Sequence, residues 1–535
     1  MKKKLLFISL ISFHFFAFSQ TEDAWVYLVD KDNVTYALAN PITILTQDAI
    51  DRKNNHGVVI DFRDVPVDES YITQLKSAPG ITVMAKSKWI NAVHVRGTET
   101  DINNLLIENF VDYIEFADKN LNSSRSFEIK NKFEIEDAQT TFVYGNTLNQ
   151  VEMINADDLH LLDYTGTGMV VAVLDAGFPN VNTMSSFQRM RDAGNLLGAY
   201  DFVNRDTDVY SGTTSSHGTR VLSTMSGFIQ NDFVGTAPDA SYYLFITEDT
   251  SSENPVEESY WVEAVERADS LGVDVINTSL GYKGYDNSNY SYSSADMDGL
   301  TAFITRGANI AFEKGLLVVT SAGNSGTNGV NAPADSANVL SIGAVDSNGD
   351  YVSFSSQGSA IQPTQKPDVV ARGASSYVID ETNTIVQNNG TSFSSPIMAG
   401  GIVCLWQAIP NKTNAEIMQL VRESGSQYQT PDFFLGYGIP DLKVALDVAL
   451  SAESKVFNEF KIFPNPVKDN LQIVFPKDIE TTTLKLYDIL GKLVFDSTIY
   501  KNKKVINLEN LSNGIYIVRF QHTNGITSTF KLIKE

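Results

Sequence analysis

"NGTSFSSPIMAG", residues Asn389–Gly400, sets four hydroxyl side chains into the five positions from Thr391 to Ser395 and follows them with Pro396. Two readings compete for it. Ser and Thr ahead of Pro begin many helices, because a side-chain oxygen accepts from an orphan backbone N–H and proline fits the first turn. The other reading makes one hydroxyl a nucleophile, which needs a base, a carboxylate to orient that base, and a donor for the developing oxyanion. The apolar run "IMAGGIVCLWQAI" (397–409) suits a buried helix under either reading.

The six histidines narrow the search for a base. His14 lies in the leader, His56 and His94 near the N-terminus and His522 in the last segment, leaving His160 and His217. His160, in "DDLHLLDY", reads as a packing or surface residue, while His217 in "SSHGTRVLSTMSG" stands where a loop enters a helix. Asp175 follows the apolar strand "MVVAVL" and precedes Ala176 and Gly177, which places a carboxylate at a strand's carboxyl end. Asn324 closes another apolar strand in "LLVVTSAGNSG" and offers a neutral amide. Each has a bland alternative: an isolated histidine is usually structural, and Asp or Asn–Ser–Gly after a strand can simply start a turn. Asp206 and Asp208 read as solvated loop charges.

A chain of 535 residues should divide into two to four domains. Its formal net charge of −24 repels phosphate backbones and anionic lipid, so nucleic acid is excluded as a partner class. "MKKKLLFISLISFHFFAFSQ" has the lysines, the short apolar run and the small residues of a signal peptide ending at residue 19. No later segment is apolar enough to span a bilayer, so an exported protein without a transmembrane segment is expected. The single cysteine, Cys404, reads as a buried structural thiol.

Residues 20–118 mix apolar runs ("WVYLV", "GVVIDF", "AVHVR") with amphipathic pieces such as "DINNLLIENF" and predict a small α+β domain. Residues 119–148 are polar and aperiodic and read as a linker. Across 149–453 the runs "MVVAVL", "SYYLFI", "VDVIN", "LLVVTS" and "VLSIGA" alternate with helical patterns such as "VEESYWVEAVERADSLG". That alternation predicts an α/β fold: a parallel sheet with helices on both faces. Residues 454–535 change to short alternating strands and predict an all-β sandwich.

"VVAVLDAGF", "SSHGTRV", "VINTSLG", "VVTSAGNSG" and "NGTSFSSPIMAG", in this order, closely resemble the motifs of the subtilisin-like (subtilase, S8) serine proteases, over roughly residues 150–450. The resemblance implies a subtilisin-like three-layer fold and a secreted serine endopeptidase acting on polypeptides through an acyl-enzyme. It implies Ser392 as nucleophile, His217 as base, Asp175 as its orienter, Asn324 as oxyanion donor, and Ser279, Leu280 and Gly281 as the strand that receives substrate. Many relatives carry a second glycine where this chain has Tyr282, and a methionine at the position of Phe393. The resemblance implies no cofactor for the chemistry and is compatible with structural calcium, whose ligands stay unassigned.

The first domain resembles the removable propeptides of secreted subtilases. The tail, with "FKIFPNPVKDNLQIVF", "LYDILGK" and "LSNGIYIVRF", resembles the C-terminal sorting domain of the Bacteroidetes type IX secretion system. A carbohydrate- or protein-binding β module is the other reading of the tail. The sorting resemblance implies type IX machinery as a partner and a destination outside a Gram-negative cell or on its outer surface. Against the enzyme stand a non-catalytic surface protein that kept the fold, and a lipase-type hydrolase. The latter is disfavoured by the absence of a Gly-x-Ser-x-Gly elbow and by the order Asp, His, Ser. No HExxH supports a zinc protease.

Overall fold

In the computed structural model seven short strands pair edge to edge in one sheet. Their order is Val369–Arg372, Leu340–Val345, Leu317–Ser321, Val275–Thr278, Val170–Asp175, Ser241–Ile246, Leu196–Asp201. All six pairings are parallel. The structure describes residues 21–121, 142–212, 215–456, 460–475, 479–489, 491–501, 505–521 and 527–535; the expected signal peptide and most of the expected linker fall outside these residues. The chain divides into two compact units, Met1–Leu446 and Asp447–Glu535.

Parallel strands need cover on both faces, which is why the central ones read as unbroken apolar runs. Helices His217–Ser226 and Thr391–Ala408 pack together over one face. Helices Val256–Leu271 and Phe303–Glu313 cover the other, in one core with Ala172 and Leu174. The two edge strands, Leu196–Asp201 and Val369–Arg372, were not among the expected ones. The first is mostly half-exposed and so carries no continuous apolar run; the second has only four residues. Cys404 is buried and donates to the Thr236 carbonyl. His160 is a packing residue, bonded to Tyr144 Oη at 2.8 Å and to the Thr236 carbonyl at 3.0 Å. Asp206 and Asp208 are exposed.

The N-terminal segment forms a four-stranded antiparallel sheet in the order Thr82–Ser87, Ala92–Thr98, Thr21–Leu28, Val111–Phe116. "GVVIDF" is not one of its strands, contrary to expectation. Asp61 instead accepts from the Arg63 N–H and caps a 3-10 turn over Phe62–Asp64, a local bond that competes with strand pairing. Along Thr21–Leu28 the side chains alternate between two cores. Ala24, Val26 and Leu28 face the segment's own helices, whereas Trp25 and Tyr27 join the core of the central unit. The Trp25 ring stacks on Phe303 at 4.4 Å, and its Nε1 donates to Ser259 Oγ at 2.8 Å.

Charges cross the same boundary. Asp269 meets Arg52 and, at 2.7 Å, Lys53; Asp64 meets Lys314 at 2.7 Å; Glu115 meets Arg306 at 2.9 Å. Glu266 accepts from Ser87 Oγ and from the backbone N–H groups of Lys88 and Trp89.

The second unit opens with the end of helix Leu442–Val456 and is otherwise all-β. A three-stranded sheet (Lys461–Phe463, Asn470–Val474, Val505–Asn507) and a four-stranded sheet (Leu493–Tyr500, Thr481–Asp488, Gly514–Gln521, Thr527–Lys534) enclose one core containing Phe460, Leu471, Leu486 and Val518. No described helix is long and apolar enough to cross a membrane.

Candidate active site

Strand Val170–Asp175 delivers Asp175 to the sheet's carboxyl edge, fully buried. His217 is the first residue of its helix, and the helix end comes close because Gly218 has no side chain: a Cβ there would lie 2.9 Å from Asp175 Cβ. Asp175 Oδ1 and His217 Nδ1 are 2.8 Å apart, and the Ala176 N–H donates to the same oxygen. Burial pulls the imidazole's pKa down. The Asp175 charge and hydrogen bond, with Glu248 adding to them, outweigh burial and hold the pKa above its ordinary 6.5.

The opening stretch begins its helix at Thr391, but none of its hydroxyls caps that helix. Gly390 takes the N-cap position at φ 150°, a conformation that L side chains rarely adopt. The missing cap comes from another strand end: Asn324 Oδ1 accepts from the Thr391 N–H at 2.9 Å and from Thr391 Oγ1 at 3.0 Å. Ser394 Oγ donates to the Thr391 carbonyl and Ser395 Oγ to Asn277 Oδ1.

Pro396 lies inside the helix rather than at its first position. Lacking an N–H, it leaves the Ser392 carbonyl without the usual donor four residues on, and Ser279 Oγ fills that place at 2.9 Å. Ser392 Oγ in turn donates to the Ser279 carbonyl at 3.4 Å rather than to His217. Ser279 is thereby fixed beside Ser392.

Because Asn324 Oδ1 is committed to Thr391, its Nδ2 faces the opposite way. A Cβ built on Gly390 would stand 3.6 Å from Asn324 Nδ2 and 3.6 Å from the Ser392 backbone N. Two donors therefore border one point next to the Ser392 side chain, at the positive end of an eighteen-residue helix.

Ser279, Leu280 and Gly281 continue from strand Val275–Thr278. Among the described residues Leu280 makes no backbone–backbone hydrogen bond, so this edge is open to an extended chain. The next residue closes it: Tyr282 bonds with Ala332 in both directions. The Tyr282 side chain is buried, and its hydroxyl donates to Glu248. Glu248 was not singled out in the sequence, although "TEDTSSEN" after the strand "SYYLFI" puts an acidic loop at a strand's carboxyl end. Burial raises the carboxyl pKa of both Glu248 and Glu257. Among the described residues no group of three or more His, Cys, Asp and Glu is placed to hold a metal ion.

A doubly covered parallel sheet with these polar groups at its carboxyl edge is the framework of a serine peptidase. Residues 166–438 match the Subtilase family model, and the chain belongs to that family. Residues 23–134 match the Peptidase S8 propeptide domain of Bacteroidota, and residues 461–535 a secretion system C-terminal sorting domain. The chain is 31% identical over 300 residues to Subtilisin E of Bacillus subtilis (strain 168), covering 55% of this chain and 70% of that one. Subtilisin of Bacillus pumilus is also 31% identical over 300 residues, 55% of this chain and 97% of its own. A crystal structure of MycP1 from Mycobacterium smegmatis aligns with a TM-score of 0.45 at 21% identity, over 60% of this chain and 89% of that one. The protein is a subtilisin-family serine endopeptidase with a propeptide and a secretion sorting tail.

Proposed function

We propose that Ser392 is the nucleophile and that Asp175, His217 and Asn324 serve it. Ser392 Oγ leaves the Ser279 carbonyl as substrate enters, passes its proton to His217 Nε2 and attacks the scissile carbonyl. The oxyanion forms between Asn324 Nδ2 and the Ser392 N–H. His217 then returns the proton to the leaving amine, and water hydrolyses the acyl-enzyme by the same route in reverse. Asp175 holds Nδ1 protonated, so that Nε2 is the basic nitrogen. The substrate's backbone pairs with Ser279, Leu280 and Gly281, a contact that gives affinity with little sequence preference.

The carrying observation is the pair of constraints on the same helix start: the Asp175–His217 bond at 2.8 Å, and the fixed Asn324 amide whose Nδ2 borders the Ser392 N–H. A binding protein that only kept the fold has no use for a carboxylate-oriented imidazole beside a second strand's amide.

In this reading residues 1–19 export the precursor and residues 20–118 form the propeptide. Removal of the propeptide frees the peptidase of residues 149–453. The tail, 454–535, engages type IX machinery and takes the enzyme to the outer surface or beyond. No cofactor takes part in the chemistry, and structural calcium, with its ligands unassigned, is compatible with the reading.

The test is the full precursor expressed beside Ser392→Ala. Wild type should process itself, degrade denatured casein and label with a serine-directed phosphonate, while Ser392→Ala should do none of these. The expected loss in rate is roughly 10⁶-fold, a magnitude carried over from subtilisin. A wild-type protein that neither cleaves nor labels would sink the reading.

A further inference from the structure

A cavity of about 600 Å³ opens beside the catalytic groups, with Ala176, His217, Ser279 and Leu280 on one wall and residues 248–253, Glu257 and Asp286 on the other. Its polar lining is one-sided. Among the described residues Glu248 receives only the Tyr282 hydroxyl and the Glu253 carboxylate meets no donor; Asp286 receives the Glu253 N–H at 3.1 Å. Glu257, at 1% exposure, receives the N–H groups of Asp249 and Asn254, which shape the loop. None of these four carboxylates forms an ion pair among the described residues, and the nearby guanidinium of Arg96 is held by Asp23. A carboxylate drawn partly out of water without a countercharge is destabilised in an empty site, and the half-buried Glu248 and Glu253 and the exposed Asp286 line a cavity that touches His217.

The cavity's place in the cleft decides what enters it. An extended chain along Ser279–Gly281 puts its side chains alternately towards and away from this wall, and the wall begins at His217. In the proposed pairing the side chains that reach it lie a few residues before the scissile bond.

We propose that Glu248, Glu253 and Asp286 form a cation-selecting subsite, so that this peptidase favours substrates carrying Lys or Arg two to four residues before the bond it cuts. Tyr282 helps to build the subsite. Buried where the family resemblance places a second glycine, it holds Glu248 through its hydroxyl hydrogen bond. The chain's own departure from the family pattern thus becomes a determinant of its specificity.

The proposal rests on the serine-peptidase reading, and the experiment separates the two. The processed enzyme is given fluorogenic peptides that differ only in Lys or its uncharged isostere norleucine at the second, third or fourth position before the bond. At one of these positions kcat/KM for Lys should exceed that for norleucine by roughly 10-fold or more, the scale of one charge-assisted contact. The ratio should fall as NaCl rises from about 0.05 to 0.5 M. In Glu248→Gln/Glu253→Gln it should fall towards one. Equal cleavage of both peptides at all three positions, or a ratio untouched by salt, overturns the subsite and leaves the peptidase standing. Failure to cut any peptide overturns the peptidase. The salt series uses wild type alone, so the outcome does not depend on the variant's folding.

Discussion

Two regions of the same acidic chain handle buried carboxylates in opposite ways. Where the N-terminal segment meets the central unit, Asp64, Asp269 and Glu115 each meet a cation supplied from across the boundary. Around the cleft Glu248, Glu253, Glu257 and Asp286 meet none among the described residues. Asp269 of the first set and Glu257 of the second lie on the same helix, Val256–Leu271. The first region is complementary to something already present in the chain; the second is complementary to something that arrives. Matched charge marks an interface completed by folding, and unmatched charge next to a nucleophile marks one completed by substrate.

The sharpest way to break the matched side is Asp269→Leu in a Ser392→Ala precursor, which keeps the chain whole. Arg52 and Lys53 would then be buried without their shared carboxylate, and breaking one side of such a pair costs about 3–5 kcal/mol. The N-terminal segment should loosen, read as hydrogen exchange across Thr21–Leu28 and as a lower midpoint of thermal unfolding. Unchanged protection there would mean that packing of Trp25 and Tyr27 alone holds the segment.

On the catalytic side Asn324→Ala removes both the proposed oxyanion donor and the cap of the Thr391 N–H. The expected loss in kcat is about 10²–10³-fold, again the scale known for subtilisin's own amide, with KM changed far less. A compensating rise in KM alone would assign Asn324 to substrate binding rather than to the oxyanion.

Glu266 stands between the two regimes, because it crosses the matched interface with hydrogen bonds and no ion pair. Burial pushes its carboxyl up to about 7. A pKa raised on docking means that the docked form binds the proton more tightly. Affinity for the N-terminal segment should therefore rise as pH falls through about 7 and level off below the ordinary carboxyl value. Glu266→Gln should remove that dependence and weaken docking by about 1–3 kcal/mol, because its amide N–H₂ meets the Lys88 N–H donor to donor. Titration of the separated segment against wild-type peptidase, processed and then blocked with a serine-directed phosphonate, at several pH values reads both effects.

These contrasts also show what the sequence could and could not tell. The central strands were legible because burial on both faces writes itself as an apolar run, and the helix Val256–Leu271 because its period and closing glycine agree. The half-exposed edge strand Leu196–Asp201 leaves no such record. Asp175, His217, Asn324 and Ser392 stand out in the sequence because each lies at or just past a strand end or at a helix start, and the structure brings Asp175 to His217 and Asn324 to the helix start that carries Ser392. Two parts of the opening stretch were misjudged: Pro396 looked like a first-turn proline, and the hydroxyls looked like caps. The actual cap, Asn324, and the group on the freed Ser392 carbonyl, Ser279 Oγ, come from 67 and 113 residues away. Capping from a distant strand has no local signature. Glu248 escaped for the same reason: its meaning depends on Tyr282 and His217, neither of which is its neighbour in sequence.

The smallest effect is a shift in the pH–rate profile, and it joins the two sides of the comparison. As the proposed base His217 works only when neutral, so the acid limb of kcat/KM reports its pKa in the free enzyme. With Asp175 and Glu248 both favouring the imidazolium, that limb should lie above 6.5, and activity should keep rising past neutrality. The stability carried by the charged imidazole has the opposite sense: it is complete below 6.5 and is lost as pH rises through the higher folded value. Replacing Glu248 by Gln removes one of the two negative neighbours and should lower the limb by a fraction of a unit, well short of the effect of Asp175→Asn. The same substitution should flatten the preference for Lys. If the Lys preference falls while the limb stays fixed, Glu248 acts on the substrate alone; if the limb falls while the preference stays, the unmatched carboxylate serves the catalytic base and the cavity selects by shape.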